Sequence, residues 1–265
     1  MIDLSDLTLV IPFGYDTEDR LNNLRFLVKY YKKNFIDAKF VIIEGGPNQT
    51  GNEFQGQHNV EYRYVKKDDF FHKTRFLNEG VELVNTKYFC AHDTDAFFKR
   101  NDIQRTMELL RSGVNFILPF NGIFLDIFGK AKEIALETLD AEFLPMVPHL
   151  IPRGNTVHGD GVRCVVNNSV GGAVYYNKQR FLEIGGYNEN FKSWGYEDNE
   201  MAHRIQVMEG LHKLDNSNCY HMTHRRGKDS QMEHTFTNNN KQEFAKIQSM
   251  DKPTMEQYIK EVLIK

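Results

Sequence analysis

Lys87-Tyr88-Phe89-Cys90-Ala91-His92, residues 87–92, is an apolar run of strand length, and it runs straight into Asp93-Thr94-Asp95. The same pattern, a buried strand that breaks into polar residues, occurs twice upstream. Leu7-Thr8-Leu9-Val10-Ile11 is stopped by Pro12 and Gly14, and Lys39-Phe40-Val41-Ile42-Ile43 is ended by Glu44-Gly45-Gly46-Pro47. Val60 to Val65 reads as a further strand. Helices fill the gaps. One is capped at Asp16 or Thr17 and aligns Leu21, Leu24, Leu27, Val28 and Tyr31 on one face; another runs from about Thr74 to Val84. A helix near 102–111 and a strand near 115–119 continue the alternation. This order predicts an α/β fold, with a mostly parallel central sheet and helices on both faces. Ligands of such sheets bind beyond the carboxyl ends of the strands, so segments 12–16, 44–48 and 92–95 are expected on one rim.

The second half is less regular. A helix is expected over 129–140, a long punctuated loop over 145–168, a strand over 172–177 and a helix over 197–208 with Met201, Ile205 and Met208 inward. From Pro253, a last helix aligns Met255, Tyr258, Ile259, Val262 and Leu263. The expected division is a catalytic domain over 1–240 and a helical tail over 241–265 packed on it.

Composition removes several classes of function. The 265 residues carry a formal charge of −3, which does not fit a general nucleic-acid binder. No stretch approaches the ~18 apolar residues of a membrane span, and the first residues lack the pattern of a secretory signal. The scattered Cys90, Cys164 and Cys219 read as reduced thiols. These features predict a cytoplasmic protein, with the inner membrane face as a secondary location because the last helix combines an apolar face with lysines.

Three clusters could carry chemistry. Asp93 and Asp95 at a strand end need a partner if buried; a divalent cation holding a diphosphate is one, and a solvated turn is the bland reading. His221 and His224 can share a ligand where the chain turns. With an aspartate they form a mixed nitrogen and oxygen set that favours manganese over calcium, while the following Arg225, Arg226 and Lys228 could neutralise phosphate. Trp194-Gly195-Tyr196-Glu197-Asp198-Asn199-Glu200 contains the chain's one Trp. The acids suit a helix N-terminus, but the indole and glycine before them also suit a stacked sugar with a carboxylate near its hydroxyl.

Four stretches together carry a family resemblance. They are Phe71-His72-Lys73-Thr74-Arg75-Phe76-Leu77-Asn78-Glu79-Gly80; Phe89 to Asp95; Gly171-Gly172-Ala173-Val174 with Gly185-Gly186-Tyr187-Asn188-Glu189 and Trp194 to Asp198; and His221 to His224. Spanning roughly 7–230, the chain resembles GT-A-fold glycosyltransferases, in particular the β1,4-galactosyltransferase and bacterial chondroitin-polymerase-like branch. The resemblance implies Mn²⁺, with Mg²⁺ as the alternative, at Asp95 and His224. His221 stands where the galactosyltransferases have a methionine ligand. It implies Asp198 as general base, Glu197 at a sugar, and Trp194 stacked on one. Pro12, Phe13 and Arg20 match the start of the nucleotide pocket, Glu44 an acid near uracil, and Lys73, Asn78, Asp93, Thr94 and Gly172 the donor site. Tyr196 replaces a family glycine and Asn199 a family acid, so the sugar-reading wall differs. Segment 120–168 has no counterpart and is expected to form the acceptor region.

The function expected on this basis is inverting transfer of a hexose or N-acetylhexosamine, galactose-type favoured. The donor is a UDP-sugar, and the acceptor a glycan or lipid-linked sugar, in bacterial surface polysaccharide synthesis. A sugar-nucleotide nucleotidyltransferase would want a Gly-rich phosphate loop, which Ile11-Pro12-Phe13-Gly14-Tyr15 is not. A non-catalytic sugar-binding relative is the other alternative.

Overall fold

The computed structural model describes residues 1–67, 70–148, 153–158, 161–225, 227 and 235–264. In chain order the elements are β1 (Ile2–Asp3), β2 (Leu7–Phe13), α1 (Glu18–Asn34), β3 (Phe35–Ile36), β4 (Lys39–Gly46), β5 (Val60–Lys66), α2 (Lys73–Glu82) and β6 (Tyr88–His92). There follow β7 (Ala96–Phe97), α3 (Arg100–Arg111), β8 (Phe116–Leu118), β9 (Phe124–Ile127), α4 (Gly129–Thr138), β10 (Thr156–His158) and β11 (Val162–Val166). The remainder holds β12 (Ala173–Asn177), α5 (Lys178–Glu183), α6 (Glu197–Met208), β13 (His212–Lys213), β14 (Cys219–Met222), α7 (Thr237–Gln248) and α8 (Lys252–Tyr258).

The main sheet has seven strands in the order β13-β8-β12-β6-β2-β4-β5. β6, β2, β4 and β5 run parallel, as the βαβ alternation requires. β12 enters antiparallel to both β6 and β8, which brings Gly172 back beside Asp93. Register assigns the two faces. Leu9 lies between Phe40 and Cys90, and this face packs on α1, whose Tyr31 meets Phe40 and His92. Val10 lies between Val41 and Ala91 on the other face. There, α2 approaches so closely that a Cβ on Gly80 would lie 2.4 Å from Val10, and α5 sets Phe181 on Phe89. All five residues expected on the inward face of α1 are buried. Thr17 is its N-cap, and Glu18 and Asp19 in the first turn complement the helix dipole.

A second sheet, in the order β10-β11-β9-β14-β7, was not foreseen. Two of its strands interrupt the expected 145–168 loop. β11 alternates buried Val162 and Cys164 with exposed Arg163, a period of two too short to stand out between glycines. β9 and β14 are four-residue strands, easily lost in a sequence read for longer runs. At the C-terminus, Met255 and Ile259 are buried, but Val262 is 39% exposed. Residues Ile259–Leu263 form a π turn, which rotates the face expected from the α-helical period. α7 begins at Thr237, so position 240 falls inside a helix. The three cysteines are buried and in no disulfide, and no helix among the described residues is long and apolar enough to cross a membrane.

Candidate active site

A cleft of about 700 Å³ opens where the carboxyl ends of the parallel strands meet the second sheet. Arg20, Lys73, Asp93, Asp95, Gly172, Trp194, Tyr196, Glu197, Asp198, His221 and His224 all line it. A larger groove of about 940 Å³ lies between the N-terminus and α3, but its guanidinium groups are already paired, Arg111 with Asp6 and Arg100 with Asp140 and Glu142.

On one side of the cleft, Asp95, His221 and His224 bring their ligand atoms within 4.8 Å of one another. The strand pairing does this. β7 pairs with β14 so that His221 stands opposite Ala96, and the Met222 N–H donates to the Asp95 carbonyl at 2.8 Å. The His224 Nε2 lies 2.9 Å from Asp95 Oδ2, and the His221 Nε2 3.6 Å from Oδ1. Each imidazole Nδ1 faces an oxygen that can only accept. His221 Nδ1 donates to Asp126 Oδ1 at 2.7 Å and His224 Nδ1 to the Arg225 carbonyl at 2.9 Å. Both Nε2 atoms thus face Asp95, and a cation entering between them would take the place of the proton they offer to it. Burial disfavours a charge on His221, but Asp95 and Asp126 outweigh it and raise its pKa to about 9. Burial likewise pushes Asp95 up, yet the two histidines keep its carboxyl well below the usual range. The pocket thus favours positive charge. One carboxylate and two imidazoles fit a divalent ion of the manganese type.

Across the cleft, the Lys73 ammonium at the start of α2 lies 3.2 Å from Asp93, 3.3 Å from Glu197 and 3.1 Å from Asp198. Glu197 is 2% exposed; its other oxygen accepts from the Gly195 N–H at 2.7 Å. Asp198, in the first turn of α6, keeps 26% of its side chain exposed. Burial raises the Asp198 carboxyl, Lys73 pulls it back, and Glu197 and Asp93 push again, leaving it at about 7. Burial opposes the Lys73 charge, but Asp198, Asp93 and Glu197 hold its pKa well above normal. The Trp194 turn has left-handed backbone at Ser193 (φ 60°), Gly195 (φ 108°) and Tyr196 (φ 70°), the last with the ring packed on Phe244. Trp194 is 38% exposed.

The other sequence-predicted residues stand behind the cleft. The Glu44 carboxylate accepts from the Thr50 amide (2.8 Å) and hydroxyl (2.6 Å), the Gly51 amide (2.9 Å) and the Tyr62 hydroxyl. Its lone pairs shape the loop whose Gly45, Gly46 and Pro47 line the wall. Asn78 clamps Tyr187 by amide and carbonyl, both at 2.9 Å, and reaches Glu189. Phe13 and Thr94 are buried, and Pro12 lies in β2 beneath the lining. Of the basic run, Arg226 and Lys228 lie outside the described residues, and the Arg225 side chain is exposed and not part of the lining.

The sequence reading missed Asp126, Arg163 and Gly171. Asp126 is a lone acid in the apolar run Phe124-Leu125-Asp126-Ile127, a signal that was there to find. Gly171 lets the chain pass so close that a Cβ would sit 2.4 Å from Asp198 Oδ2.

Residues 160–234 match the family model described as the N-terminal domain of galactosyltransferase. No curated protein matches the chain. Among solved structures, the chain is similar to the catalytic domain of Drosophila β1,4-galactosyltransferase 7 in complex with xylobiose. Identity there is 16%, coverage 91% of this chain and 80% of that one, and the TM-score 0.49. It is similar to GalNAc-T7 with UDP, GalNAc and Mn²⁺ at 13% identity, covering 91% and 47%, with TM-score 0.57. It is also similar to TarS of S. aureus at 9% identity, covering 96% and 69%, with TM-score 0.53. The chain therefore has the GT-A fold seen in glycosyltransferases, and the part of it that holds Asp198, His221 and His224 lies within the stretch that matches the galactosyltransferase family model.

Proposed function

We propose that this protein is an inverting, divalent-metal-dependent glycosyltransferase that moves a galactose-type hexose or N-acetylhexosamine from a UDP-sugar to a carbohydrate hydroxyl. One observation carries the reading: a three-residue metal constellation and a lysine-held carboxylate of raised pKa line the same cleft, linked through Asp93-Thr94-Asp95. The donor class follows the galactosyltransferase match at 160–234 and the UDP, GalNAc and Mn²⁺ present in the GalNAc-T7 structure.

Asp95, His221 and His224 would hold the cation. When bound there, Mn²⁺ or Mg²⁺ supplies Lewis-acid charge for a diphosphate leaving group. Asp198 takes the proton of the acceptor hydroxyl as its oxygen attacks the anomeric carbon from the opposite side, which inverts that carbon. A base with a pKa near 7 suits this task at neutral pH. Glu197, fixed by Gly195 and Lys73, sets the turn that presents Trp194 to a sugar face. Arg20 and the Gly45-Gly46-Pro47 wall form the nucleotide end. In this reading 1–240 is the catalytic unit and the 241–265 tail braces it. The acceptor is a glycan or lipid-linked sugar met near the 120–168 region, and the setting is bacterial surface polysaccharide synthesis at the cytoplasmic membrane face.

UDP release from UDP-Gal, UDP-GalNAc, UDP-Glc, UDP-GlcNAc and UDP-GlcA in Mn²⁺ tests the proposal. Asp198→Asn should lower turnover by ~10²–10⁴-fold with Mn²⁺ affinity intact. Asp95→Ala and His224→Ala should each raise the Mn²⁺ requirement. Full activity of Asp198→Asn would remove the assigned base, and unchanged metal dependence in both other variants would remove the metal site.

A further inference from the structure

Strands β14, β9 and β11 lie side by side, and their register places His221 opposite Asp126 and Asp126 opposite Arg163. Directly opposed residues share a sheet face, so the three side chains form one row across the sheet. The row is hydrogen-bonded from end to end. Arg163 donates from Nη2 (3.0 Å) and Nε (3.3 Å) to Asp126 Oδ2, and Asp126 Oδ1 accepts the His221 Nδ1–H at 2.7 Å. The far end of that imidazole, Nε2, is the atom that faces Asp95.

We propose that Asp126 is the positioning residue of the metal site: it fixes the ring orientation and tautomer of His221, and Arg163 fixes Asp126. The inference rests on the metal reading above. Asp126 is 6% exposed and both of its oxygens are engaged, one by His221 and one by Arg163, so it serves the site through the histidine and not as a ligand. A neutral imidazole can carry its proton on either nitrogen; a carboxylate facing Nδ1 keeps it there and leaves the Nε2 lone pair toward the ion. His224 gets the same service from a backbone carbonyl, which no side-chain substitution removes. Asp126 is thus the side chain through which the orientation of the ligand set can be altered without touching a ligand. Because Arg163 belongs to β11, the row also ties the wall of the cleft farthest along the second sheet to the cation.

Mn²⁺ titration of the full chain, read by the electron paramagnetic resonance of free Mn²⁺, tests this beside the melting temperature of each metal-free protein. Asp126→Ala should weaken Mn²⁺ binding by ~10–100-fold, the usual cost of losing an outer partner of a ligating histidine. Asp126→Asn, which keeps the shape and one accepting oxygen, should fall between it and the unaltered chain. It also supplies the answer if the alanine variant does not fold. Mn²⁺ affinity within twofold of the unaltered chain in a folded Asp126 variant overturns the assignment and leaves the glycosyltransferase reading standing. Failure of the unaltered chain to bind Mn²⁺ overturns the metal reading and this inference with it.

Discussion

The two walls of the cleft solve the same electrostatic problem in opposite ways. Each gathers carboxylates at a place where burial penalises their charge. Around Asp198, the compensating cation is built in: Lys73 sits within 3.3 Å of Asp93, Glu197 and Asp198. Around Asp95, the chain supplies two imidazoles in place of an ammonium, with their Nδ1 protons already donated elsewhere. The first wall carries a permanent counter-charge and leaves Asp198 partly exposed. The second relies on imidazoles, whose protons can be given up, and in the proposed reading a metal ion takes their place. In the proposed reading, charge divides the labour of the cleft: a fixed cation sets the base, and an exchangeable cation would hold the leaving group.

Removing the fixed cation is the harshest way to break this contrast. In Lys73→Met, three carboxylates face one another with no ammonium between them, and uncompensated buried charge of this kind costs about 3–5 kcal/mol. The melting temperature should fall, which calorimetry will show. Asp198 also loses the group that pulls its pKa down, so the sign of the kinetic effect is fixed. In the unaltered enzyme the ionised base accumulates as pH rises, and kcat/KM should climb through a pKa of about 7. In Lys73→Met that climb should move to higher pH while Mn²⁺ affinity holds. A pH profile left in place would mean that Lys73 does not govern the base. Gly171→Ala is a finer cut. Its Cβ would stand 2.4 Å from Asp198 Oδ2, so the carboxylate must shift. A displacement of about 1 Å can cost ~10²-fold in turnover. The expected result is a drop in kcat of that order with metal binding unaffected; a loss of Mn²⁺ affinity would instead show that the two walls are mechanically one.

How far the sequence disclosed these walls depends on whether a residue's role is local. Three of the parallel strands, β2, β4 and β6, were legible because each is an apolar run with a stop signal, β5 because it alternates apolar and charged residues, and Asp93 and Asp95 because they follow such a run. The second sheet was not, since β9 and β14 owe their existence to each other and not to their own few residues. Asp126 went unseen for the same reason: its meaning comes from a cross-strand partner 95 positions away. Glu44 and Asn78 show the converse. The resemblance implies ligand contacts for both, and in the structure they hydrogen-bond to Thr50, Gly51 and Tyr62 and to Tyr187 and Glu189, bonds that no motif announces. Lys73 was placed in the donor site on resemblance alone; its link between Asp93 and Asp198 is a property of the folded chain.

The smallest expected effect concerns how the base wall is held. The Asp95–His221 wall is fixed inside a sheet by rows of paired strands. The Trp194 turn, with three left-handed residues, cannot be, and a helix from the end of the chain holds it instead. Asn240 of α7 is 1% exposed. It donates to the Lys192 carbonyl at 2.9 Å and the Gly195 carbonyl at 3.0 Å, and accepts the Lys192 N–H at 3.1 Å, so one side chain closes the turn on both sides of Trp194. Asn240→Ala opens that closure while leaving Lys73, Asp198 and the metal ligands untouched. Loss of about 1 kcal/mol of ordering is a factor of about five, which should appear as a rise in acceptor KM with kcat and Mn²⁺ affinity nearly unchanged. Trp194 is the chain's one tryptophan, so its fluorescence anisotropy reads the turn directly and should fall in the variant. Anisotropy and KM both equal to those of the unaltered chain would mean that the turn holds its shape through its own backbone and the Glu197 bond to Gly195, and that α7 merely rests against it.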